Sequence, residues 1–114
     1  MSEQGKTRKG LSPAEVSRTV DLVAYQTGAV VSRELMRMTA GTVTVFAFDE
    51  GQGLSEHTTP YDALAQVLEG EAEITIAGAP HRVHGGEAVL MPGGLPHALH
   101  AVLRFKMILT MLRG

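Results

Sequence analysis

From Val30 onward, glycine and proline cut this chain into short runs, and that rhythm constrains the fold more than any other feature. The runs cover 30–38, 42–49, 63–68, 71–76, 81–84, 88–91, 97–102 and 105–112. Gly41, Gly51-Gln52-Gly53, Glu69-Gly70, Gly78, Gly85-Gly86 and Pro92-Gly93-Gly94 punctuate them. Most are shorter than an ordinary helix. The run 42–49 is β-branched and aromatic, and 71–76 alternates polar with apolar residues as a half-exposed strand does. Many short strands between Gly/Pro turns, with no long helical stretch, predict an all-β sandwich or barrel. Eight or so strands suit a jelly roll. No repeat of 20–50 residues points to a propeller or solenoid.

Ahead of the strands the pattern changes. Residues 1–10 are polar and contain glycine. Ser12-Pro13-Ala14-Glu15 reads as a capping box with proline at the first helical position. The expected organisation is a flexible tail over 1–18, as a short helix or extended arm, followed by one domain over 19–114. Three of the ten basic residues and one of the twelve acidic ones lie in the first ten positions, so the remainder carries seven against eleven, a net −4. An acidic body argues against nucleic-acid binding, which needs clustered Lys and Arg. No apolar run approaches the roughly 20 residues that span a bilayer, and none follows the basic start as a secretory signal would. The expected location is the cytoplasm.

The chain has no Cys and five His. Disulfides, cysteine-held zinc and thiol nucleophiles are therefore excluded, and any metal must be held by His, carboxylate, other oxygens or water. His81 and His84 lie in a predicted hairpin, three apart and on opposite faces, and read as surface residues. His100, three past His97, turns outward by simple alternation. Ser55 lies near His57, but no G-x-S-x-G surrounds any serine, and no phosphate-binding glycine loop occurs. Glu71 and Glu73 alternate onto a solvated strand face. Met36, Met38, Met91, Met107 and Met111 all fall in strands, where they fill a core or line an apolar cavity.

Two segments remain, 51–70 and 86–97. Together they resemble the cupin superfamily in its small, single-domain conserved-barrel (RmlC-like) branch, over roughly residues 30–112. The family's second motif, G-x5-P-x-G-x2-H-x3-N, is matched by Gly86, Pro92, Gly94 and His97, with Ala101 in place of the final Asn. Its first motif, G-x5-H-x-H-x3,4-E-x6-G, is matched by Gly51, His57 and Gly70. Thr59 stands at its second His and Ala63 at its Glu.

The resemblance implies a double-stranded β-helix, or jelly-roll barrel, and a pocket reached by His57 and His97. In metal-binding cupins two His and a Glu come from the first motif and one His from the second. Residues two apart on a strand share a face, so H-x-H aims two imidazoles into one barrel, and a carboxylate balances the ion. Here His57 and His97 are the candidate metal ligands, with Asp62 and Gln66 as further ones. Asp62 reaches the site only if a bulge after Pro60 re-aims it. Thr59, Gln66, Met91 and Phe46 are the candidate ligand-binding residues. The expectation is a small-molecule-binding barrel with a partly degenerate site. The alternative is a dioxygenase-like or isomerase-like enzyme using one divalent ion (Fe, Mn, Ni or Zn). The strand over 30–38 is expected near a sheet edge, where unpaired backbone promotes association. By resemblance that makes the protein a homodimer.

Overall fold

A computed structural model describes residues 10–113. Nine strands form among them: β1 (Val30–Met38), β2 (Gly41–Phe48), β3 (Gly53–His57), β4 (Asp62–Glu69), β5 (Glu71–Ile76), β6 (Ala79–His84), β7 (Ala88–Met91), β8 (His97–Ala101) and β9 (Phe105–Leu112). One sheet has the order β1-β2-β9-β4-β7 and the other β3-β8-β5-β6. Every pairing is antiparallel. This is the jelly roll that the turn rhythm anticipates, with β3 as a strand the run pattern did not show. Its sequence, Gly-Leu-Ser-Glu-His, has one apolar residue and no alternation to detect.

The two sheets enclose the main core. Phe48, Phe105, Ile74, Met91 and Met107 are fully buried in it, and the Phe48 and Phe105 rings stack with centroids 4.4 Å apart. Partners across antiparallel strands share a face, so the register reads out rows of inward side chains. Arg37, Thr42, Met111, Ala63 and Met91 form one inward row across the five-stranded sheet. His57, His97 and Ile76 form its counterpart on the other sheet. Residues 58–61 and 92–96 join these two rows directly, so both lie at the same end of the barrel.

The five-stranded sheet is also covered outside. Val45, Ala47, Ile108 and Leu68 pack there against Leu11, Leu22, Val23 and Tyr25 of the segment before β1. Tyr25 latches this segment, donating to Glu69 Oε2 at 2.7 Å beneath the Arg104 guanidinium, 4.5 Å above its ring. The capping box at Ser12 starts no helix: Pro13 and Ala14 form a turn, with Ala14 at φ 62°. The reason is tertiary. Leu11 N–H bonds the Leu35 carbonyl at 3.0 Å, drawing the chain alongside β1, and a left-handed residue ends a helical turn. Helical structure here is one 3-10 turn, Thr19–Asp21. Residues 1–9 of the tail expected over 1–18 lie outside the described residues. No described helix is long and apolar enough to cross a membrane.

Candidate functional site

His57 ends β3 and His97 begins β8, and the two are directly paired in register. Their rings meet edge to face, with centroids 4.3 Å apart and planes inclined by 68°. His57 lies at the exposed rim, whereas His97 is 6% exposed. His57 Nδ1 lies 2.9 Å from the Ser55 carbonyl oxygen, which can only accept. That contact makes Nδ1 the protonated nitrogen and leaves Nε2 with a free lone pair. His97 Nδ1 is buried with no hydrogen-bond partner. Burial holds the His97 pKa below the usual histidine value, the neighbouring His57 lowers it further, and the backbone at Leu95 partly offsets both. Burial and the neighbouring ring thus favour the neutral imidazole of His97.

Loops 58–61 and 92–96 fix this end. Gly94 N–H donates to the Thr59 carbonyl at 2.8 Å, and Gly93 N–H to Asp62 Oδ1 at 2.8 Å. A Cβ at Gly93 would lie 2.6 Å from the Pro60 carbonyl oxygen, so the loops touch through backbone. The Thr59 hydroxyl is spent locally: it accepts from Tyr61 N–H at 3.2 Å and donates to the Tyr61 carbonyl at 3.3 Å.

The other residues singled out in the sequence separate into three groups. Met91 is buried in the inward row, at the end of β7 from which the 92–96 loop runs to His97. Phe46 faces inward too, but four residues along β2 from Thr42, about 14 Å deeper at roughly 3.4 Å per residue, against Phe48. Asp62 and Gln66 stand on the outer face. In β4 the buried residues are Ala63, Ala65 and Val67, while Asp62, Leu64 and Gln66 are exposed. No bulge re-aims Asp62, and its carboxylate instead holds the 92–96 loop. Both are thereby removed from the ligand set expected for the histidines. His81, His84 and His100 are exposed, as expected of surface residues.

The donor set falls short of a resident metal. Ala63, where the family's carboxylate falls, points inward but offers only a methyl group. Among the described residues no three His, Asp or Glu side chains gather as a metal site. Sequence reasoning also passed over Arg37, Tyr61 and Arg113, which crowd the same end of the barrel. Arg37 gives no simple signal, because a bulge between Glu34 and Met36 resets the alternation of β1.

A cupin-domain family model matches residues 44–111. The chain belongs to the cupin family. Among solved structures, a conserved Streptococcus pyogenes protein of unknown function is 36% identical, with a TM-score of 0.88 and 92% of each chain covered. A cupin 2 conserved-barrel protein from Leptotrichia buccalis is 35% identical (TM-score 0.80), covering 82% of this chain and 46% of that one. A cupin superfamily protein from Desulfitobacterium hafniense shares the fold at 23% identity, with a TM-score of 0.83 over 94% of this chain and 97% of that one. No curated protein matches. As in the sequence comparison, the cupin's second motif is complete up to His97 and its first motif departs at Thr59 and Ala63.

Proposed function

We propose that this cupin is a small-molecule-binding barrel in which His57 and His97 engage a polar ligand at the mouth. The observation that carries this is the buried, unpartnered Nδ1 of His97. A buried polar nitrogen without a partner costs about 1–3 kcal/mol, and most such atoms in folded proteins are satisfied. A ligand hydroxyl, carbonyl or water bridge supplies the missing bond, while His57 Nε2 beside it accepts a hydrogen bond from a second group. With two imidazoles and no carboxylate opposite, the site favours hydrogen-bonded recognition over charge neutralisation of a cation.

The second reading is a metal-dependent enzyme. It is favoured by the two unengaged imidazole nitrogens, and it needs every remaining ligand to come from solvent or substrate. Incubating untagged protein with Fe(II), Mn(II), Ni(II) or Zn(II), followed by desalting and metal analysis, separates the two. The binding reading expects well under one ion per chain, and native mass spectrometry showing an organic adduct that His97→Ala loses. One ion per chain, lost in both His57→Ala and His97→Ala, favours the metal-dependent reading instead.

We also propose that the chain forms a homodimer through β1. It is an edge strand, and Met36 and Met38 on it are 53% and 63% exposed. Met36, Val43, Thr110, Leu64 and Leu90 form an outward row across the same sheet. Light scattering at micromolar concentration should give twice the chain mass; a monomer there refutes the assembly.

A further inference from the structure

At the histidine end of the barrel lies a cavity of about 270 Å³ lined by β1, β2, the end of β9 and Tyr61. Its lining carries two guanidinium groups, Arg37 and Arg113, and no acidic residue. We propose that this cavity is a binding subsite for a small organic carboxylate, separate from the histidine pair.

The charge pattern gives the polarity of the occupant. Arg113 Nη2 donates to the Tyr61 hydroxyl at 3.0 Å, and its guanidinium carbon lies 5.5 Å from the Tyr61 ring centroid. That contact orients the group without neutralising it. No Asp or Glu lies within ion-pair distance of Arg113 among the described residues. Arg37 is partly neutralised: its Nε and Nη2 bond the two Glu34 oxygens at 3.1 and 2.6 Å, leaving Nη1 outside that fork. A guanidinium presents paired donors at the spacing of carboxylate oxygens, and charge-assisted bonds of this kind are roughly twice as strong as neutral ones. The Thr39 and Thr42 side chains add hydroxyl groups to the same lining.

The shape gives the size and character. Ligand pockets usually span about 300–1,000 Å³, so this one, just below that range, takes only a small molecule. Met38 and Met111 make part of its wall apolar. An inorganic anion would leave that wall uncovered, whereas a short alkyl carboxylate places its tail there. Met111 also joins the subsite to the interior, since it stands between Thr42 and Ala63 in the inward row.

Butyrate and inorganic phosphate are the probes, titrated separately into 15N-labelled protein at constant ionic strength. The subsite requires saturable shifts with butyrate at the amides of residues 38–42, 61 and 111–113, at lower concentration than with phosphate. Arg113→Gln should weaken butyrate at least tenfold. Glu34→Gln, which releases Arg37 from its partner, should tighten it several-fold, a gain that no loss of structure can mimic. His57→Ala should leave the affinity unchanged, so the subsite stands or falls independently of the histidine reading. Phosphate binding as tightly as butyrate, shifts centred elsewhere, or an Arg113→Gln protein that binds like wild type would overturn the assignment.

Discussion

Segments 51–70 and 86–97 meet at one end of the barrel, joined by the Gly94–Thr59 backbone bond and the Gly93–Asp62 bond, yet they match the cupin pattern differently. In 86–97 the glycines, the proline and the histidine are all in place, and His97 is the buried half of the site. In 51–70 the two glycines and the first histidine are present, but Thr59 and Ala63 occupy the positions where metal-binding relatives carry ligands. Both segments therefore build the fold, and only one carries its full chemistry. The difference separates two demands on a motif. Glycines at tight or left-handed positions answer to the backbone, whereas ligand positions answer to whatever is bound.

The strongest way to break that distinction is through the glycines. Gly70 sits at φ +86°, and a Cβ there would lie 1.9 Å from the Arg104 carbonyl oxygen and 2.7 Å from Phe105 Cα. Gly94 sits at φ +85° with nothing within 4 Å of an added Cβ. Gly70→Ala must displace backbone beside the core, at an expected cost above about 4 kcal/mol. Gly94→Ala meets only the left-handed penalty, about 1–2 kcal/mol. Urea unfolding of the two variants checks the gap; equal losses would mean that the motif glycines share one role.

The ligand positions give the next effect. Ala63 is buried and points inward, so Ala63→Glu forces a carboxyl group into the core end of the barrel. Crowding and an unpaired polar group together should cost about 2–3 kcal/mol without metal. If the vacant ligand position alone accounts for the departure, Thr59→His combined with Ala63→Glu should recover stability on adding Mn(II) or Zn(II). The recovery should vanish in the His97→Ala background. A double variant whose thermal midpoint ignores both ions would show that the 58–61 loop, held by Thr59 and Asp62, no longer presents ligands to the mouth.

How far the sequence discloses all this depends on what each residue touches. Strands such as β4 and β8 were legible because one face is buried and the other wet, which imposes a period of two. β2 was legible for another reason: it is β-branched, and the strap before β1 covers its second face at Val45 and Ala47. β3 was legible only through the family motif, having little apolar surface to bury. The His57–His97 pairing followed from the motif as well. Asp62 falls one residue from the family's carboxylate position, and no bulge after Pro60 turns it back inward. Arg37 and Arg113 were out of reach, because their approach to Tyr61 depends on a β1 bulge and on a strand pairing across 50 residues or more.

The smallest expected effect tests His97 itself. Its pKa is lowered in the folded chain, first by burial and then by His57. Above neutral pH the imidazole is uncharged folded or unfolded, so it contributes no pH dependence. As pH falls through the ordinary histidine value, near 6.5, the unfolded chain takes up a proton that folded His97 still refuses. Stability therefore drops between that value and the lower folded one, then levels off. His97→Gln should flatten this component. His57→Ala should shrink it without abolishing it, because burial outlasts the loss of the neighbouring ring. The measurement is the urea midpoint at pH 8 against pH 5.5 in the three proteins, and the order of the losses carries the argument: wild type, then His57→Ala, then His97→Gln. Were His57→Ala to match His97→Gln, repulsion between the rings and not burial would control the site, and the contrast between an exposed His57 and a buried His97 would lose its physical basis.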